Sequence, residues 1–328
     1  MNLRFLSRVL RTDRLAGFLA LGLALLCAGT VRLHAAEPQA FAFRTNDVIA
    51  FVGGEDVVEM QRSGYLEMRL TAALPHHKLR FRNIAFEGDT VFEQHRQLNF
   101  PSWEKQLERV GATVVVAQFG QAESLQGTNG LGKFVEAYGK LLDRFTNEGR
   151  RLVLISPTLC ESWAGFEKDF VARNESLARY STAIAKLAGE RGARFLSSSS
   201  FSVRMHERRT RDGLHLNQIG HWRTARALAQ NTAASVALQE VMPDQQTGAL
   251  PDAAAERLRQ FILEKNRLWF DYWRPQNWAF LNGDRTDQPS SHDHRDPKKR
   301  WFPEEMEKFL PLIEAKEREI WKLAEEMK

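Results

Sequence analysis

The chain has 328 residues, 43% of them hydrophobic and 27% charged, with a formal net charge of +5 and only 2 cysteines. This excludes a disordered or low-complexity chain and a disulfide-built one, and it supplies enough apolar material for a large core. Residues 1–35 hold Arg4, Arg8, Arg11, Arg14 and Arg32 against the single acid Asp13; without them 41 basic and 40 acidic residues remain, so the charge makes no case for nucleic acid.

The N-terminus reads as an export signal over 1–36. Arg4 to Arg14 form a positive stretch, Leu15 to Gly29 an apolar run, and Leu33-His34-Ala35-Ala36 a small-residue cleavage site after Ala35 or Ala36. The run is short for a bilayer span, and no later segment is apolar enough to cross one, so the expectation is an exported protein without a membrane span after cleavage, with an uncleaved N-terminal anchor as the alternative. Cys160 alone remains in the processed chain, and it reads as a buried, inert thiol.

Asp47–Val52 is a short apolar run stopped by Gly53-Gly54 and reads as a buried strand. Tyr65–Leu74 has helical spacing and ends at Pro75, and Leu79–Ala85 alternates as a second strand. Ser102 is a plausible N-cap for a helix over 102–110. Thr113–Phe119 is the clearest strand, followed by a helix over 131–148, a strand over 151–156, a helix over 174–191, a short strand over 193–196 and a helix over 217–238. This alternation predicts a parallel α/β sheet with helices on both faces, whose ligand site lies at the carboxyl ends of the strands. The domain is expected over 40–240.

Beyond Gln239 the pattern turns helical and aromatic, and a C-terminal extension is expected over 250–328. Its first helix, 253–274, carries Phe261, Trp269, Phe270, Tyr272 and Trp273. These aromatics, with Trp278 and Phe280, either dock the extension onto the α/β body or form a stacking wall beside the site. The last stretch, 303–328, is an amphipathic helix with Met306, Leu310, Ile313, Ile320, Ala324 and Met327 near one face, and Pro311 is expected to kink or break it.

Asp212-Gly213-Leu214-His215 places a carboxylate three residues before an imidazole that it could orient as a general base. Three other strand-end loops accompany it: Phe51-Val52-Gly53-Gly54-Glu55, Arg82 to Thr90 around Gly88-Asp89, and Phe119-Gly120-Gln121-Ala122-Glu123. In this order the four loops resemble the sequence blocks of the SGNH, or GDSL-type, lipase/esterase family over roughly 46–236. The resemblance implies a three-layer flavodoxin-like fold and hydrolysis of an acyl or acetyl ester on a carbohydrate or lipid. It implies Asp212 and His215 as the catalytic pair, and Gly54, Gly88, Gly120, Ala122 and Glu123 as the oxyanion and substrate-binding positions.

The sequence departs from that pattern at decisive points. Glu55 stands at the family's nucleophilic serine, Ala122 at its oxyanion asparagine, and Gly54 at its first-block aspartate. A carboxylate attacking an ester would have to form an anhydride, and losing one oxyanion donor alone costs about 2.7–4 kcal/mol in the transition state. Ser63 and Ser197–Ser200 do not offer an obvious substitute nucleophile. Two functions follow: a serine-independent hydrolase using His215, Asp212 and Glu55, or a catalytically silent SGNH-fold domain that binds an envelope glycan or a protein partner. No cofactor is expected, and no metal, since Glu55, Asp212 and His215 would need a tight three-ligand geometry, while His292-Asp293-His294 and His76-His77 read as surface. Nothing in the sequence sets an oligomeric state.

Overall fold

The computed structural model describes residues 41–94, 100–163, 165, 170–198, 208–232 and 242–327. The expected export signal, Ser199 and Ser200, and the helix end at 233–238 lie outside these residues. Five strands form one parallel sheet: β1 (Val48–Gly53), β2 (Arg80–Asn83), β3 (Val114–Gln118), β4 (Arg151–Ile155) and β5 (Arg194–Leu196). Their order, β2-β1-β3-β4-β5, is the flavodoxin-like one. The strand order reverses beside β1, so a crevice opens at the carboxyl ends of β1 and β3.

The runs that predicted the strands are buried on both faces. Ile49, Phe51, Val114, Val116, Val153 and Ile155 enter one core, while Ala50, Val52, Val115, Ala117, Leu152 and Leu154 enter the other. The first core is covered by α1 (Glu55–Ser63), α2 (Tyr65–Ala73) and α6 (Gln218–Gln230). The second is covered by α3 (Trp103–Arg109), α4 (Gly127–Thr146) and α5 (Val171–Glu190). Ser102 does cap α3, its side chain accepting from Lys105 N–H at 3.4 Å. Helix α1 was not expected from sequence: Gly53-Gly54 reads as the start of a loop, and the helix has just three apolar residues, Val57, Val58 and Met60, all buried.

The C-terminal part belongs to the same compact unit as the sheet, which runs from Pro38 to Lys328. Helix α7 (Ala253–Trp273) starts against the first core through Leu258 and Ile262 and ends in the second through Trp269, Tyr272 and Trp273. It thus passes across the β2 edge of the sheet. A short helix α8 (Ala279–Asn282) and a helix α9 (Trp301–Glu307) precede α10 (Phe309–Glu326), which packs along α7. The expected break at Pro311 falls earlier, at Lys308; Pro311 sits in the first turn of α10, where a missing N–H costs no intrahelical bond.

The contact between extension and edge is specific. Arg80 and Ile84 give their N–H groups to β1, to Asp47 O and Phe51 O, so the carbonyls of residues 79, 81 and 83 face outward. Each is met by a side chain: Trp321 Nε1 donates to Leu79 O at 3.1 Å, Arg82 Nη1 to Phe81 O at 3.0 Å and Trp269 Nε1 to Asn83 O at 2.7 Å. Arg82, 8% exposed, also donates to Glu317 Oε1 of α10 at 2.5 Å and lies over the Trp269 ring. A second buried pair, Lys265 with Glu67, joins α7 to α2 at 2.7 Å. The aromatics of α7 therefore dock the extension: Trp269 and Trp273 stack on each other with centroids 5.6 Å apart, and both are buried.

Candidate active site

Strand β1 delivers the first site residue through a turn that demands glycine. Gly53 has φ +147°, and a Cβ there would stand 2.3 Å from Gln118 O, so a side chain is excluded by both conformation and space. Gly54 caps α1, and Glu55 is the first residue of that helix, where the macrodipole favours a carboxylate. Asn83 fixes the same corner: its Nδ2 donates to Val57 O and its Oδ1 accepts from Ala85 N–H. Since Trp269 holds Asn83 O, α7 braces the turn that carries Glu55.

The second element is a tight loop before α6. An antiparallel bridge joins Thr210 to Leu216, and Arg211 N–H donates to His215 O at 2.9 Å. Glu161 anchors the loop from the β4 side: its Oε2 accepts from Arg209 N–H, Thr210 N–H and the Thr210 hydroxyl, each at 2.8 Å. Within the loop, Asp212 Oδ1 accepts from Leu214 N–H and His215 N–H at 3.0 and 2.8 Å, and Oδ2 lies 2.6 Å from His215 Nδ1. Burial works to raise the Asp212 carboxyl, but these hydrogen bonds outweigh it and hold it at about 2.

The two elements meet. His215 Nε2 is 3.3 Å from Glu55 Oε2, so the imidazole has a carboxylate at each nitrogen. The hydrogen bond to Asp212 raises its pKa above the ordinary value; partial burial opposes this and the Glu55 charge adds to it. Two acceptor oxygens on two ring nitrogens favour the doubly protonated imidazolium. Arg211 Nη2 stands 4.0 Å from the other Glu55 oxygen.

Beside this triad lies a cleft of ≈ 340 Å³ at the carboxyl ends of β1 and β3. Of the residues expected at the site, Gly54, Glu55, Gly88, Ala122, Glu123 and His215 line it, and Asp212 stands behind His215. Gly120 does not take the expected oxyanion position. Its N–H donates to Glu123 Oε2 at 2.9 Å, and the space where its side chain would be faces Ile184, Phe134 and Pro157. Glu123 likewise is not free for substrate, because its Oε1 accepts from Val91 N–H at 2.8 Å. Burial pushes its carboxyl up despite these donors. It ties the loop after β2 to the loop after β3. Gly88, at φ +83°, turns the backbone at the cleft wall.

The sequence reading missed several lining residues. Asp56 lies beside Glu55, with its carboxyl pushed up by burial against the opposing hydrogen bond to Thr158. Arg173 of α5 is held by Ser124 Oγ at 2.7 Å and by Gln121 O. Leu125 and Leu214, 75% and 36% exposed, form the apolar mouth. None has a periodic signal, since all sit in loops or the first turn of a helix. The serines set aside as substitute nucleophiles do stand away from the lining: Ser63 is buried at the end of α1, and Ser198 bonds to Ser156. Among the described residues no three or more His, Cys, Asp or Glu side chains are placed so that they could hold a metal ion together.

A parallel sheet in this order, with an acid–histidine loop facing the end of β1, defines a flavodoxin-like α/β protein with its site at the strand ends. Residues 52–223 match the family model of the GDSL-like lipase/acylhydrolase family, and the chain belongs to that family. No curated protein matches it. Among solved structures it is similar to a gut microbial diltiazem-metabolizing enzyme at 17% identity, covering 60% of this chain and 49% of that one, with a TM-score of 0.47. It thus spans about half the length of that enzyme. An acetylxylan esterase from Geobacillus stearothermophilus is 15% identical over 58% of this chain and 95% of that one, with a TM-score of 0.48. An α/β hydrolase from the metagenome of Lake Arreo, Spain, is 17% identical over 58% and 97%, with a TM-score of 0.47.

Proposed function

We propose that this GDSL-family protein is exported and uses its cleft to bind an acyl- or acetyl-bearing carbohydrate or lipid, without turning it over through a serine acyl-enzyme. One observation carries the reading. No serine, threonine or cysteine is among the described residues lining the cleft, and the place of the nucleophile is taken by Glu55, ion-paired to His215. An imidazolium held between two carboxylates has no proton acceptor to offer a hydroxyl. Ala122 brings no amide to a developing oxyanion, a loss of about 2.7–4 kcal/mol. The cleft volume suits a small ligand.

The retained Asp212–His215 pair favours a second reading, in which Glu55 takes a proton from water and His215 supplies one to the leaving group. An ester screen on the protein and on Glu55→Ser/Ala122→Asn and His215→Ala variants separates the two. Silence relieved by the double substitution alone supports the binding domain. Turnover by the unaltered protein that vanishes in His215→Ala overturns it in favour of water activation. For export, N-terminal sequencing of protein recovered outside the cytoplasm is expected to begin after Ala35 or Ala36; an intact Met1 on that protein overturns cleavage.

A further inference from the structure

We propose that Glu55 is a covalent nucleophile toward saturated carbon, and that Glu55, His215 and Asp212 together hydrolyse short alkyl halides to alcohols. The inference goes beyond the binding reading and rests only on its premise that Glu55 is unsuited to acyl transfer. The weakness of a carboxylate at an ester carbonyl is the anhydride it must make. At an sp3 carbon the same oxygen makes an ordinary ester, and carboxylates serve as covalent nucleophiles of this kind at the acetal carbon of glycosides.

The geometry supplies the parts. Among the described residues no backbone hydrogen bond reaches the Glu55 carboxylate; its Oε2 lies 3.3 Å from His215 Nε2 and its Oε1 4.0 Å from Arg211 Nη2, and Glu55 lines the cleft. Phe119, Ala122, Leu125 and Leu214 give the cleft apolar walls for an alkyl group.

The steps balance. A Glu55 oxygen attacks the carbon, the carbon–halogen bond breaks with its electron pair, and halide leaves, which gives an alkyl ester on Glu55. The side chain is now neutral, so the imidazole has lost one of its two carboxylate partners and yields its extra proton to solvent. It then takes a proton from a water that attacks the ester carbonyl carbon. The tetrahedral intermediate expels the alcohol oxygen, which collects that proton from His215. The Glu55 carboxyl formed returns its own proton to the ring. In sum, alkyl halide and water give alcohol, halide and one proton. Asp212 holds the ring throughout at 2.6 Å.

The test uses the folded full chain and bromohexane. The unaltered protein is expected to release bromide over many turnovers. His215→Asn is expected to release one equivalent and then stop, with the Glu55 peptide heavier by one hexyl group in mass spectrometry. Glu55→Gln is expected to fall to the buffer rate with no such adduct. Cys160 is a poor competitor, because its thiol is buried and desolvation pushes its pKa up. A native melting transition in each variant separates loss of chemistry from loss of fold. Bromide release equal in the unaltered protein and Glu55→Gln, or a folded His215→Asn with no hexyl group on Glu55, overturns the proposal. Ester cleavage by the unaltered protein would instead sink the binding reading and leave the adduct measurement standing, so the two failures are distinct.

Discussion

Replacing Glu317 with alanine strips the buried Arg82 guanidinium of its carboxylate. Glu317 is 3% exposed and Arg82 8% exposed, and the pair bridges α10 to the edge strand at 2.5 Å. Arg80 adds a longer contact to the other Glu317 oxygen at 3.5 Å. After truncation the partners Arg82 keeps among the described residues are Phe81 O and the Trp269 ring, neither of which carries a negative charge. An uncompensated buried charge of this kind costs about 3–5 kcal/mol, against a total stability on the order of 5–15 kcal/mol. Urea unfolding is expected to show this as a midpoint lowered by ~1 M or more at unchanged slope. Removing both charges together, in Arg82→Met/Glu317→Leu, is expected to restore stability to within about 1 kcal/mol or exceed the original. A loss below about 1 kcal/mol in Glu317→Ala would refute the reasoning, since the pair would then be solvated and α10 would not seal the sheet edge.

Three further outcomes follow from the site and its supports. His221 is buried on α6, and desolvation lowers its pKa from 6.5 to about 4, so the unfolded chain binds the proton more readily. The sign is therefore a stability fully present above about pH 6.5 and lost as pH falls toward 4, by about 3 kcal/mol, and the difference in urea midpoints from His221→Leu should vary over that window. Gly53→Ala would place a methyl against Gln118 O in a backbone conformation that L-residues avoid; a loss above about 1 kcal/mol is expected in thermal unfolding, and a neutral result would contradict the tight β1–α1 turn. Asp212→Asn should lower the His215 pKa more than Glu55→Gln does, because the Asp212 hydrogen bond is the main cause of its rise and the Glu55 charge a smaller one; imidazole proton shifts in NMR titration measure both, and a larger drop in Glu55→Gln would contradict the assignment.

The sheet was legible because strands buried on both faces must be apolar throughout, as in Ile49–Val52 and Val114–Ala117. The carboxyl ends of the parallel strands marked where the site lies, while the meeting of Glu55 with His215 was legible only through the resemblance of the strand-end loops to the family's sequence blocks. Helix α1 was hidden because two glycines and two acids precede its three buried apolar residues. The break at Lys308 was misread onto Pro311, whose ring is compatible with a first turn. Gly120 was expected to face the cleft, yet its N–H is taken by a carboxylate three residues on, a local competition that composition does not reveal. Arg211, Glu161 and Arg173 owe their roles to tertiary approach alone.

The three outward carbonyls of the β2 edge, met by Trp321, Arg82 and Trp269, bear on how this protein behaves in a crowded solution. A bare parallel edge offers a row of acceptors to which an extended segment of another molecule can zip. Here two indoles and a guanidinium occupy that row, so self-association through strand addition is blocked by side chains that also hold the terminal helices down. Exchanging both tryptophans for leucine would keep much of the apolar bulk yet reopen the template, and light scattering would register the change before any shift in secondary structure.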